Sequence, residues 1–427
     1  MAATPVHPLL GKKMRNIGIV GAGQAGLQLG FMLLAKGYPV TVYSDRSPEQ
    51  IFNSRLTTTA AQFGRASSYE RELGIDFWNP RGGHVLAGAD LDVCPEPGQR
   101  AISVRGRIST PGFAMDGRAK YARWLSEFER RGGNVVLGSV DMEALEQFAL
   151  KHELVLVSTG RNSFTQVFER DAGRSPHTKP PRHLAAMIVE GMKPLYESSF
   201  SALKFVLVPG HGEYFAMPFH DRIRGPLYSL LFEAVPGGGM DRFGGVTSGR
   251  EALERARGIV RDYSPWIAQR MKHAYVVDES SWLTGAFTPT VRKPVGTLPS
   301  GRQVMGLGDA VILNDPVAGQ GLNCASKMAH HVGVAILARA AEPFTGQWMH
   351  ETFERFWDTD GQYITGFSNM LLQPPPPHLQ QLLGAASNDA AVAEMFFSNF
   401  AEPQDFWPWI MSPAETEAQV QRVARCV

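Results

Sequence analysis

Apolar residues along this chain fall into short solid runs and longer helical stripes, and their order predicts the elements. Ile17-Gly18-Ile19-Val20 is a solid run of the buried parallel-strand kind, with glycines directly after it. Leu27 to Lys36 predicts a helix closed by Gly37 at its C-cap, and Val40-Thr41-Val42-Tyr43 a second strand. Strand, glycine turn, helix and strand in so short a span make a βαβ unit. Ala119 to Arg130 predicts a helix ending at Gly132-Gly133, Asn134 to Leu137 a strand, and Leu154 to Val157 another buried strand. From Leu203 to Phe232 short strands alternate with the Pro209-Gly210-His211-Gly212 turn and Pro226, the pattern of an antiparallel sheet. Helix returns over Arg250 to Arg261. Val304 to Leu307 is a buried strand leading through a glycine-rich loop into a helix from Leu322 to Ala341. The remainder reads as helical, broken by Pro374 to Pro377.

This order predicts an α/β protein. A nucleotide-binding domain of Rossmann type, discontinuous over 14–175 and 286–345, is expected to carry an inserted antiparallel-sheet substrate domain over 176–285. A helical C-terminal region follows over 346–427, and residues 1–13 read as a disordered leader. The length of 427 residues and an apolar fraction of 44% suit two or three domains with a sizeable core. Charge nearly cancels, 42 basic against 41 acidic residues, which argues against nucleic acid or an anionic membrane as partner. No apolar run reaches the roughly 18 residues that span a bilayer. Cys94, Cys324 and Cys426 stand far apart, which removes a CxxC redox pair and a thiolate metal site and fits a reducing cytoplasm. His330 and His331 are adjacent on a helix and cannot both face one ligand, so no metal site is expected.

Two motifs carry the chemistry. Gly21-Ala22-Gly23-Gln24-Ala25-Gly26 follows a strand and opens a helix. Its first glycine allows the tight turn, the second lets backbone approach a pyrophosphate, and the third permits close helix–strand packing. The end of the second strand carries Ser44, Asp45 and Arg46. Asp45 is placed to accept ribose hydroxyls, with Ser44 the alternative at the strand end, and Arg46 would lie over an adenine or meet the phosphates. The second motif is Gly306-Leu307-Gly308-Asp309 followed by Asp315-Pro316-Val317-Ala318-Gly319-Gln320-Gly321-Leu322-Asn323. Asp309 suits a ribityl hydroxyl. The helix opened by Gly319 to Asn323 points its N–H groups where a reduced flavin carries negative charge. Together, in this order, the two motifs mean FAD. A second G-x-G-x-x-G is absent, and Ser158-Thr159-Gly160-Arg161 stands where hydroxylases that take hydride from NAD(P)H carry Asp-Gly. Trp407-Pro408-Trp409 lacks the context of the flavin-halogenase signature and reads as a packing cluster.

With these residues the chain resembles the oxygenase component of the styrene and indole monooxygenases, from about Asn16 to the C-terminus and least over Asp76 to Gly106. The segments that carry the resemblance are Val42 to Arg46, Met115 to Arg118, Ser158 to Gly160 with Val167-Phe168-Glu169 and Ser175-Pro176, Pro209 to Glu213, Asn323 to Ser326, and Asn399-Phe400 near Pro403. The resemblance implies reduced FAD delivered by a separate NADH-dependent flavin reductase. It also implies reaction with O₂ to a C4a-(hydro)peroxyflavin, and oxygen transfer to an aryl alkene, an indole-like substrate or a thioether. It leaves a homodimer open. Arg55, Arg118, Val140 and Gly160 carry over as cofactor contacts. Thr58, Ala60, Gln62 and Pro316 carry over as pocket residues rather than acid–base catalysts. The loop Arg55-Leu56-Thr57-Thr58-Thr59 departs from both subgroups at Thr58, which have Asn or Ser there, and Ala60 and Gln62 also differ, so neither substrate is carried across. A single-component NAD(P)H-dependent aromatic hydroxylase and a non-catalytic flavin-binding protein remain the alternatives.

Overall fold

Two large sheets and a small two-stranded pair, Thr290–Val291 with Ile312–Leu313, form the computed structural model, which describes residues 15–78, 85–160 and 163–425; the expected leader lies outside them. The smaller of the large sheets runs in the order Val295–Thr297, Gln303–Gly306, Leu154–Val157, Ile17–Val20, Val40–Ser44 and Asn134–Leu137. All its pairings are parallel except the Val295–Thr297 edge. Ile17, Ile19, Leu156 and Val157 have no exposed surface, as expected for strands covered on both faces. The first helix, Gln24–Leu34, starts three residues ahead of the predicted Leu27, because the last motif residues form its first turn. Gly37, at φ 81°, reverses the chain after it, with its N–H donating to Leu34 O at 2.9 Å. This helix lies against the helix Gly321–Ala338, so the two motif-bearing helices are neighbours.

The larger sheet is ordered Tyr275–Val276, His183–Glu190, Gly225–Ala234, Gly212–Asp221, Ala202–Val208, Val85–Val93, Ile102–Ala114 and Ala61–Gln62, with Trp282–Gly285 also on His183–Glu190. The hairpins expected between Leu203 and Phe232 are present. The sheet is mixed, however, because Val85–Val93 pairs parallel with Ala202–Val208. It also takes three strands from the segment 61–114, which precedes the expected insertion. Two of these are long and were hidden in the sequence by their own chemistry. Val85–Val93 carries Asp90 and Asp92 inside, where Lys204 Nζ sits 2.6 Å from each. Ile102–Ala114 contains Gly106, whose missing side chain lets the helix Ala390–Ala401 lie close; a Cβ there would be 2.8 Å from Ala393 O.

Alternation along the central strands feeds two cores. Val206, Tyr214, Leu230 and Phe232 pack under the helix Gly249–Tyr263. Phe205 and Phe215 face the C-terminal helices through Phe396, Phe397 and Phe400. The proline run falls between the helices Gln362–Leu371 and Pro377–Asn388, with Pro377 at the first helical position.

Acidic residues interrupt the second of these layers. Glu213 and Glu233 stand directly opposite each other on neighbouring strands, both fully buried, and Asp315 is 2% exposed. Arg182 grips Glu213 through Nε–Oε1 at 2.7 Å and Nη2–Oε2 at 3.3 Å. One guanidinium cannot balance three buried carboxylates. Burial pushes the Glu213 carboxyl up to about 7 even so. Burial, then the charges of Asp315 and Glu213, hold Glu233 well above the carboxylate range. A raised folded-state pKa contributes stability that is complete below the ordinary value of 4.5 and is lost as pH climbs toward the raised value. Each pH unit in that window is worth about 1.4 kcal/mol. Glu233→Gln should therefore melt close to the wild type at pH 4.5 and above it at pH 7 to 8. Melting curves that track in parallel across that range would show that Glu233 carries no proton.

Candidate active site

The glycine loop occupies the C-terminal ends of the parallel strands, and its three glycines meet three different surroundings. Gly21 has φ 116°, and a Cβ there would sit 2.6 Å from Ser158 Oγ. A Cβ on Gly26 would lie 2.1 Å from Gly21 O. A Cβ on Gly23 would meet nothing within 4 Å, and the same holds for Gly321 in the second motif. The fold itself requires the first and third glycines; the open space at Gly23 and Gly321 suits a bound group.

The helix termini agree. Asp116, Asp141, Ser248, Thr345, Asp389 and Ser412 each close a helix start with a side-chain hydrogen bond. The helices beginning at Gln24 and Gly321 have no such cap and no acidic residue in their first turn. Free N–H groups and the positive dipole end are then open to an anion. Beside Gly21, Thr159 Oγ1 is buried without a hydrogen-bond partner among the described residues. Gly160 packs against Asp309, so closely that a Cβ would be 2.6 Å from Asp309 Cβ, and Asp309 itself is exposed.

Other expected contacts are placed less simply. Asp45 is exposed at the strand end, with Arg46 Nε 3.5 Å from its Oδ1. Ser44 is buried, and its hydroxyl donates to Arg46 O within its own turn. Val140 is half-buried beside the smaller sheet. Arg55 lies over the Trp282 ring at 5.4 Å. The Arg118 guanidinium is buried against Asp116, with Nη2–Oδ2 at 2.7 Å, and also donates to Ser54 O and Ser280 O. It is a strut beneath the Arg55 loop. Gln320 turns its amide toward Phe400 O at 2.8 Å, so only its backbone faces the motif loop. Pro316 is half-buried in a short turn capped by Asp315 and followed by Gly319 at φ 60°.

Thr58, Ala60 and Gln62 do come together, around a small space that they share with Tyr121 and Leu322. Asn323 fixes that arrangement: its Oδ1 accepts from Phe63 N at 2.8 Å and its Nδ2 donates to Ala61 O at 3.0 Å. Gln62 also borders a cavity of about 290 Å³ whose apolar wall includes Trp78, Val85, Phe113 and Met115. Sequence reasoning missed Lys120. Its Nζ donates to Gln62 Oε1 at 2.7 Å and to Glu70 Oε1 at 2.6 Å, and Gln24 Nε2 donates to the same Glu70 oxygen at 2.9 Å. Burial lowers the pKa of Lys120, opposed by Glu70. The legible signal was a lysine on the apolar stripe of its helix, in line with Trp124 and Phe128 four and eight residues later. The paired histidines have other partners: His330 stacks on Tyr69 at 4.0 Å and His331 lies 3.1 Å from Thr352 O.

Residues 160–270 match the family described as "Styrene monooxygenase A putative substrate binding domain". Styrene monooxygenase StyA of Pseudomonas fluorescens is 30% identical over 413 residues, 93% of this chain and 96% of the relative. The chain belongs to the styrene monooxygenase family. A StyA from a Pseudomonas species is likewise 30% identical over 412 residues, with coverage of 93% and 96%. Among solved structures, a triple mutant of the flavin-dependent brominase Bmp2 matches with TM-score 0.68 at 15% identity, covering 96% of this chain and all of that one (100%). A halogenase PltM mutant in complex with FAD matches with TM-score 0.60 at 13% identity, over 96% and 87% of the two chains. These likenesses show a shared fold. This styrene monooxygenase-family chain is a flavin-dependent monooxygenase, and its cofactor is FAD, which the open glycines and uncapped helix starts fit. No helix among the described residues is long and apolar enough to cross a membrane.

Gly23 offers a clean check of the cradle. Gly23→Ala should leave the melting temperature of the apoprotein unchanged, since the methyl meets no protein atom. It should weaken FAD binding roughly tenfold or more, the cost of losing close backbone approach to a pyrophosphate. Fluorescence titration of FAD beside thermal melts separates the two effects, and unchanged affinity would remove Gly23 from the cofactor site.

Proposed function

We propose that this chain is the oxygenase half of a two-component epoxidase, receiving reduced FAD from a separate NADH-dependent flavin reductase. Its substrate is a small apolar aromatic alkene or indole-like molecule, and a thioether is an alternative acceptor of oxygen. One observation carries this reading. The Thr58–Gln62 loop shares a wall with the helix start at Leu322 and borders on its other side a cavity with an apolar wall of Trp78, Val85, Phe113 and Met115 facing Glu70, Arg71 and Asp76. Bound reduced FAD supplies two electrons, so that one atom of O₂ enters the substrate and the other leaves as water.

The protein's share is binding, orientation and exclusion of water. The Gly21–Gly26 loop and the uncapped helix start at Gln24 hold the pyrophosphate, with Ala25 N–H in that first turn. Ser44, Asp45 and Arg46 meet the adenosine end, beside Val140. Asp309 accepts a ribityl hydroxyl next to Gly160. Pro316, Gly319, the Gln320 backbone, Gly321, Leu322 and Asn323 would present the second helix start to the ring, and Arg55, from its place over the Trp282 ring, would contact the flavin. Arg118 acts from beneath, through the loop it supports. Thr58 and Gln62 do not titrate near neutral pH and so serve as hydrogen-bonding and shaping groups. The smaller sheet thereby acts as the cofactor domain and the larger sheet as the substrate wall.

Two measurements test this. NADH alone should not bleach FAD bound to the protein under anaerobic conditions, whereas an added flavin reductase with O₂ and an aryl alkene should yield epoxide. Direct bleaching by NADH or NADPH would instead make the enzyme a single-component hydroxylase. The loop has its own check in Thr58→Asn, which should shift the ratio of epoxide to sulfoxide, or its enantiomeric ratio, and change H₂O₂ leakage while FAD affinity stays the same. A change in pocket shape of this size is worth about 1–3 kcal/mol of selectivity. If product ratios and leakage match the wild type, the loop does not line the pocket.

A further inference from the structure

A lysine buried beside an oxygen-transfer pocket that needs no acid or base calls for a role. Lys120 is 1% exposed and lines the same small space as Thr58, Ala60 and Gln62. An ammonium has three donors and no acceptor, so the Gln62 atom it touches must be the amide oxygen. The orientation of the Gln62 amide, which by itself could be either way round, is thereby fixed. Among the described residues its Nε2 has no hydrogen-bond partner, and it is not one of the described buried atoms sealed off without one. Gln62 borders both the small space and the cavity of about 290 Å³ with its apolar wall. Glu70 holds Lys120 from the other side and is itself held by Gln24 of the glycine loop, so the cation cannot swing away.

We propose that Lys120 is a positioning residue that turns the Gln62 amide N–H toward the substrate cavity, where it donates a hydrogen bond to the oxygen atom newly placed on the substrate. The pocket then distinguishes an oxygenated product from its parent: an epoxide or sulfoxide oxygen accepts the bond, and an alkene or thioether cannot. Thr58 and the apolar wall supply the shape that both share. This inference rests on the cavity being the substrate site.

Equilibrium binding to the oxidised, FAD-loaded enzyme reads it without turnover, using methyl phenyl sulfide and methyl phenyl sulfoxide as probes. The wild type should bind the sulfoxide more tightly relative to the sulfide. Gln62→Leu should lower sulfoxide affinity about tenfold, the scale of one lost hydrogen bond, and leave the sulfide within about twofold. Lys120→Met alone would strand the Glu70 carboxylate and endanger folding, so it is paired with Glu70→Gln, which removes both charges. That double variant should reproduce the Gln62→Leu pattern, and adding Gln62→Leu to it should change nothing further. If Gln62→Leu abolishes the preference while the double variant keeps it, Lys120 does not position Gln62 and the inference falls alone. It falls equally if the double variant lowers the melting temperature but binds both probes as the wild type does, the mark of a purely structural ion pair. If Trp78→Ala and Gln62→Leu both leave sulfide and sulfoxide binding untouched, the cavity is not the substrate site, and the proposed function falls with the inference.

Discussion

The active-site architecture hangs on one buried amide. Asn323 receives a hydrogen bond from Phe63 and gives hydrogen bonds to Ala61 and Gly319. It ties the short strand at the mouth of the pocket to the turn that opens the second motif helix. Those two segments lie far apart in the chain, the first on the edge of the larger sheet and the second on the cofactor side. Because Asn323 is fully buried, its three bonds form in a medium where leaving any one unmade costs about 1–3 kcal/mol. The relative placement of cofactor helix and substrate loop is therefore set by side-chain geometry, not by the packing of the two layers alone.

A second polar thread backs the first. Gln62, Lys120, Glu70 and Gln24 are joined in series, and Gln28 continues the line to Ser326. Such a chain through a core is costly unless each member is satisfied, and most of these groups are. The result is a rigid floor under the pocket, in which Lys120 and Glu70 are tied to each other and to the amides beside them. That is the character expected where the organic cofactor does the chemistry and the protein must hold still around it.

Much of this was legible in the sequence. The solid apolar runs at Ile17, Leu154 and Val304 gave the parallel sheet, and two glycine motifs in order gave FAD, because both signals are local. What the sequence hid was non-local. Strand Val85–Val93 escaped because buried aspartates balanced by Lys204, more than a hundred residues on, broke the apolar pattern, and Ile102–Ala114 because Gly106, where the helix Ala390–Ala401 lies close, and the arginines beside it break its alternation. Arg118 and Gln320 matched a family pattern by position, yet their side chains are engaged elsewhere, which only coordinates reveal. Lys120 escaped because a lone lysine in a helix reads as a solvated face until its partners are known.

The strand order also has a temporal meaning. Gln303–Gly306 pairs beside Leu154–Val157, and most strands of the larger sheet lie between those two in the chain. While the protein is being synthesised, the parallel sheet can assemble only its first four strands, Leu154–Val157 through Asn134–Leu137. The Leu154–Val157 edge, an unbroken apolar run, then waits uncovered until residue 306 has emerged. Open apolar edges are templates for aggregation, and long-range parallel pairing is slow. Soluble yield of this enzyme should thus be governed by the pace of translation and by chaperone supply more than by the stability of the finished fold.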